Sequence, residues 1–107
     1  MRQSKRKALE AKGWKLGSAK DFLGLAEEEL ALIELKIALG SAFKRRRQKK
    51  RLTQEAAAKA ISSSQSRVAK MEAGDPSVSI DLLVKSMITL GASKRDLAKA
   101  ISGHQAA

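Results

Sequence analysis

The sequence predicts an all-α protein. Three observations lead there: apolar side chains recur at spacings of three and four in each longer segment, Ser or Thr precedes several of these segments while Gly follows them, and no strand-like alternation survives anywhere. With 107 residues, the chain can bury one modest core and is too short for two independent ones. Apolar residues make up 43% and aromatics only 3%, so Leu, Ile, Val and Ala are expected to fill the interior of closely packed helices. One domain preceded by an N-terminal extension is the simplest organisation.

The formal net charge of +11 predicts attraction to a polyanion. Its distribution is uneven: residues 1–20 carry a net +6, 21–42 a net −4, 43–59 a net +7 and 60–107 a net +2. Basicity thus sits in an N-terminal arm and in the segment before the middle of the chain. The absence of Cys removes disulfides, thiolate metal sites and cysteine nucleophiles together, and suits a reducing compartment. No apolar run has the length of a membrane span or of a secretory signal core, so the expectation is a cytoplasmic protein with no membrane partner.

Residues 1–20 mix charge with small residues and show no sustained period, which reads as a basic flexible arm; its Trp14 is expected to fold back onto an apolar surface or a partner subunit, with stacking on a base as the lesser alternative. Residues 21–38 read as an N-terminal helical extension, a surface for a partner or a dimer. Leu30, Ile33 and Ile37, and again Leu32, Leu35 and Leu39, fall at helical spacings over more than one face. Glu27, Glu28 and Glu29 occupy the first turn, where the helix dipole favours anions, and Leu25 is placed to staple onto it. These adjacent carboxylates diverge by about 100° each around a helix, so they do not form a metal site.

Residues 39–107 read as the domain proper. The helix is expected to continue with little interruption through Gly40 into the basic run Lys44 to Arg51, which wraps the helix rather than striping it. Most of those cations should act as solvated phosphate attractors. Thr53 caps a short Ala-rich helix, Gln54 to Ala60, with Ile61 pointing inward; Ser62, Ser63 and Ser64 form a joint. A second helix follows to Ala73, burying Val68 and Met71 while Gln65, Ser66, Arg67 and Lys70 project elsewhere, and Gly74 stops it. After a turn at Asp75-Pro76-Ser77, Ser79 caps a helix with Ile80, Leu83, Val84, Met87 and Leu90 on one face. Ser93 to Asp96 has capping-box spacing for a last helix carrying Leu97 and Ile101 as its apolar residues.

Thr53 to Gly74 resembles the helix-turn-helix of phage repressors and the Xre family of bacterial regulators. Thr53-Gln54, Ala58, Ile61, Val68, Met71 and Glu72-Ala73-Gly74 stand where that family has its Thr-Gln start, a small residue at the helix crossing, three core aliphatics and a Glu-x-Gly end. Leu52, Arg47 and the Leu90-Gly91 helix end extend the match to about residues 39–101. The resemblance implies a five-helix repressor-like helix-turn-helix domain. It also implies DNA-binding roles: Gln54 anchors a phosphate and braces the reading helix, Gln65 reads a base, and Arg67 and Lys70 read guanine or hold a phosphate. Thr53, Ser64 and Ser66 complete the expected contact set, and Arg47 pairs with Glu72 as a structural ion pair. Two residues depart from the pattern: Ser62 stands at a common left-handed glycine, and Arg51 replaces a glycine before Leu52-Thr53.

Residues 22–47 ahead of such a domain resemble antitoxins of the HigA type, whose partner is a small ribonuclease toxin of the RelE/HigB class. The reading is therefore a sequence-specific repressor that binds double-stranded DNA at a palindromic operator as a homodimer, serving as the antitoxin of a type II toxin-antitoxin pair. The alternatives are a stand-alone regulator of the same family and a nonspecific nucleic-acid binder. Neither a cofactor nor a metal is expected, and an enzyme is disfavoured: the one His, His104, lies in the tail, and no glycine-rich phosphate loop or carboxylate pair is present.

Overall fold

The computed structural model describes residues 26–103, and these contain five helices and no strand. They are α1 (Glu27–Lys49), α2 (Gln54–Ala60), α3 (Gln65–Ala73), α4 (Ile80–Thr89) and α5 (Lys94–Ile101). The basic arm, Trp14, the Leu25 staple and His104 lie outside the described residues.

Each helix begins and ends for a local reason. Glu27, Glu28 and Glu29 fill the first turn of α1, and Arg46, Arg47 and Lys49 fill its last, so both ends of the dipole are complemented. The next four helices are capped by hydroxyls: Thr53 Oγ1 accepts from Ala56 N at 3.0 Å, Ser64 Oγ from Arg67 N at 3.1 Å, Ser79 Oγ from Leu82 N at 3.1 Å and Ser93 Oγ from Asp96 N at 3.1 Å. Asp96 returns the contact by accepting from Ser93 N at 2.9 Å, which completes the capping box.

All five helices are followed by a residue in the left-handed region, α5 by Gly103 (φ 80), and after the first four the reversed backbone lets two amides reach the otherwise orphaned carbonyls. Gly74 (φ 71) and Gly91 (φ 93) adopt it freely after α3 and α4. Arg51 (φ 58) and Ser62 (φ 55) adopt it after α1 and α2 without the freedom of glycine. In exchange, Leu52 N bonds Arg47 O at 3.0 Å and Ser63 N bonds Ala58 O at 2.8 Å. The serine joint is therefore a tight turn, in which Ser62 makes the reversal and Ser64 starts the next helix.

Helix α1 runs unbroken through Gly40. The glycine is there for packing rather than for a kink: a Cβ at Gly40 would lie 2.1 Å from Met71 O, so α1 and α3 cross backbone to backbone at this point. Gly74 touches the same helix one turn away, since a Cβ there would sit 2.8 Å from Ile37 Cγ1. The chain divides into two compact units between Glu34 and Leu35, inside this helix.

The core of the second unit comprises Leu39, Ala42, Phe43, Ala57, Ala58, Val68, Met71, Val78, Leu83, Met87, Leu90, Ala92 and Ala100. Leu52, Ile61, Ile80, Val84 and Leu97 pack against it from its edge. The palette is not purely aliphatic, because Phe43 and two methionines are among its largest fully buried side chains. Helix α5 buries Ala100 and leaves Ile101 half exposed at 50%. Ser86 is also buried, on the inner face of α4.

Candidate nucleic-acid interface

Helix α2 and helix α3 pack directly on each other, and Ala57, Ala58 and Val68 are all buried. Small residues on α2 permit this close crossing, and the three-residue joint then sets the N-terminal turn of α3 outward. Gln65, Ser66, Arg67 and Lys70 are exposed on α3, as are Thr53 and Ser64 at the two N-caps. Val68 and Met71 hold the opposite face in the core with no exposure. The spacing explains the division, since residues three and four apart share a face of the helix.

Behind this surface lies a polar network. Arg47 donates to Glu72 twice, from Nε to Oε2 and from Nη2 to Oε1 at 3.0 Å, and its Nη1 donates to Leu52 O at 2.8 Å. The pair is well shielded, with side-chain exposures of 12% for Arg47 and 5% for Glu72. The hydrogen bonds to Glu72 raise the Arg47 pKa against the opposing effect of burial, so the guanidinium stays charged. Glu72 Oε1 also accepts from Gln54 Nε2 at 3.1 Å, and Gln54 Oε1 accepts from Gln65 Nε2 at 2.6 Å. A continuous chain of hydrogen bonds thus runs from the end of α1, through the C-terminal turn of α3 and the start of α2, to the exposed first residue of α3.

The basic run divides by environment. Arg46 is drawn away from solvent by Asp96 of α5, with Nη2 and Oδ2 at 2.9 Å, and Arg47 is committed to Glu72. Lys44, Lys49, Lys50 and Arg51 remain exposed, as does Lys59 on α2. Two of the seven cations between Lys44 and Arg51 therefore hold helices together, and the rest carry the long-range positive field. On α3, neither Arg67 nor Lys70 belongs to a salt bridge among the described residues, although Lys70 attracts the carboxylate of Asp75. No group of acidic or histidine side chains among the described residues could hold a metal.

Sequence reasoning missed three contacts that shape this surface. Arg46 to Asp96 joins residues 50 apart, Lys36 Nζ donates to Pro76 O at 2.8 Å across 40 positions, and Gly40 supplies the crossing of α1 over α3. Only the last left a signal, an isolated Gly within a helical pattern, which marks close packing as readily as a kink.

No helix among the described residues is long and apolar enough to cross a membrane. No curated protein and no solved structure matches the chain. A family model described as a helix-turn-helix domain matches residues 38–101. This span takes in the C-terminal half of α1 and all of α2 to α5, including the α2–turn–α3 unit with its exposed first turn. The chain belongs to the helix-turn-helix domain family.

Proposed function

We propose that the protein is a sequence-specific DNA-binding repressor whose α3 lies in the major groove. One observation carries this reading: Gln65, Ser66, Arg67 and Lys70 share the exposed side of a helix whose other side is locked into the core. Gln65 presents an amide to base edges, where glutamine pairs with adenine N6 and N7. Arg67 and Lys70 reach guanine or phosphate, while Thr53, Gln54 and Ser64 clamp the backbone at the two helix starts. Lys44, Lys49, Lys50 and Arg51 add sequence-independent attraction. One such unit covers a half-site, so the reading includes a homodimer on a palindrome with half-sites about one helical turn apart.

The experiment is selection of a bound duplex from a random pool, followed by titration of wild type and Arg67→Ala. If Arg67 reads a base, its removal costs about 1 to 3 kcal/mol and relaxes preference at one position. Unchanged affinity and an unchanged salt slope remove Arg67 from the interface.

The reading extends to an antitoxin that represses its own operon. The supporting observation is the start of α1, where Glu28, Glu29 and Leu32 are exposed together and offer carboxylates and an apolar anchor to a basic partner. A small ribonuclease of the RelE/HigB type has the required charge. Co-expression with the adjacent reading frame tests it: a neighbour that is toxic alone and co-purifies supports the antitoxin role, and one that is harmless and does not co-purify leaves a stand-alone regulator.

A further inference from the structure

We propose that Glu72, with Arg47 as its counter-ion, sets which way round the Gln65 amide faces the groove, so that a buried carboxylate without a DNA contact helps fix the base preference of α3. The inference rests on the proposed reading of DNA by Gln65 and adds to it a source for the polarity of the reading group.

An ionised carboxylate only accepts, whereas a glutamine amide offers a carbonyl on one side and an NH2 on the other, and rotation about its last torsion exchanges them. Glu72 is fixed at one end by the two Arg47 donors. The Gln54 atom facing it must therefore be the NH2, as the 3.1 Å contact from Nε2 to Glu72 Oε1 shows. Gln54 keeps its second N–H and turns its carbonyl to α3, and a carbonyl rewards only a donor. Gln65 answers with Nε2 at 2.6 Å. One N–H of that group is consumed, and the second N–H and Oε1 remain for the groove, in an order dictated by Glu72 through Gln54.

This order matters because adenine presents N7 as an acceptor beside N6–H2 as a donor. An amide arranged N–H then C=O matches that pair in one sense only, and the flipped amide sets its carbonyl against N7. A glutamine free to rotate offers both orders and discriminates less. The anchoring end is buried, the reading end is exposed, and the two glutamines between them carry no net charge. Polarity is thereby passed outward without bringing a carboxylate near phosphate.

The test uses the full-length protein and a duplex selected from a random pool, with every base pair of one half-site replaced in turn. Gln65→Ala first identifies the position read by Gln65 as the one whose discrimination disappears. Gln54→Lys is the decisive variant: it still donates to Glu72 but presents no acceptor to Gln65. Glu72→Gln is its companion, with an amide that faces Gln54 in either order. The expected result is that both variants lose about tenfold discrimination at the Gln65 position, corresponding to one good bidentate pair, while preferences at all other positions persist. A general rise in affinity from the added lysine does not affect this ratio. Full discrimination at that position in a folded Gln54→Lys protein overturns the inference, as does a uniform loss at every position. If Gln65→Ala changes no position, or selection enriches no sequence, the underlying reading of DNA by Gln65 fails, an outcome distinct from failure of the relay alone.

Discussion

Alanine at Gly40 discriminates between two views of the long first helix. In a solvent-facing helix, Gly→Ala stabilises by about 1 kcal/mol through backbone entropy and helix propensity. At Gly40 the new Cβ would lie 2.1 Å from Met71 O, and tolerable contact begins near 3.0 Å, so the two backbones must separate by about 0.9 Å. The obstacle is main chain on one helix meeting main chain on another, with Leu39 and Phe43 buried on either side, and no side-chain rotation can relieve it. Overpacking of this kind costs typically 1–3 kcal/mol, and helix propensity returns about 1. A clash of main chain on main chain falls at the upper end of that range, so a net loss of about 2 kcal/mol is expected. It should be read as a lower midpoint in urea denaturation with an unchanged slope, or as a drop of several degrees in Tm. A midpoint equal to or above that of wild type refutes the close crossing of α1 and α3, and with it the claim that α1 sets the position of the reading helix.

Three further outcomes follow from the geometry. Ser62→Gly should raise stability by about 0.5 to 1 kcal/mol, because Ser62 holds a left-handed backbone at φ 55, and Ser62→Val should lower it; equal midpoints for all three proteins contradict the strain. Arg47→Met leaves the Glu72 carboxylate buried without its counter-ion and should cost about 3 kcal/mol, whereas the double variant Arg47→Met/Glu72→Leu should recover much of the loss; an unfolding series in which the double variant is the least stable rules out the pair as the cause. Asp96 is held below its ordinary value of 3.8 by hydrogen bonds from Ser93 and by Arg46, so it supports the fold above that pH and loses this support as pH falls through its lowered value. Asp96→Asn should therefore flatten the acid limb of the stability profile below about pH 4, and an unchanged limb would show that other carboxylates govern it.

Local chemistry made most of the fold legible in the sequence. The four capping hydroxyls, Thr53, Ser64, Ser79 and Ser93, act through neighbours within three positions, so their residue types suffice to place the helix starts. Ser62 and Arg51 were conspicuous as departures from a glycine pattern, and the backbone keeps the left-handed conformation that the glycine would have eased. Contacts between distant residues left no such trace. Nothing local distinguishes Arg46, tied to Asp96, from Lys44, which is exposed, because the choice depends on where α5 docks. For the same reason, spacing did not show which residue of the eight-residue α5 turns inward: Ala100 is buried and Ile101 is half exposed. The exposed residues of α3 could be named from spacing, but the hydrogen-bond order linking Gln65 to Glu72 required the geometry of three helices at once.

The central claim is that α3 reads DNA sequence rather than only its charge. The most direct measurement is the ratio of affinities for a selected duplex and a random-sequence duplex of equal length, at one salt concentration near physiological. The predicted ratio is about a thousandfold or more for the wild-type protein and falls by about tenfold in Gln65→Ala, with the salt slope preserved. A ratio near one, unchanged by that substitution, would show that the exposed cations alone bind the polyanion and would contradict the account.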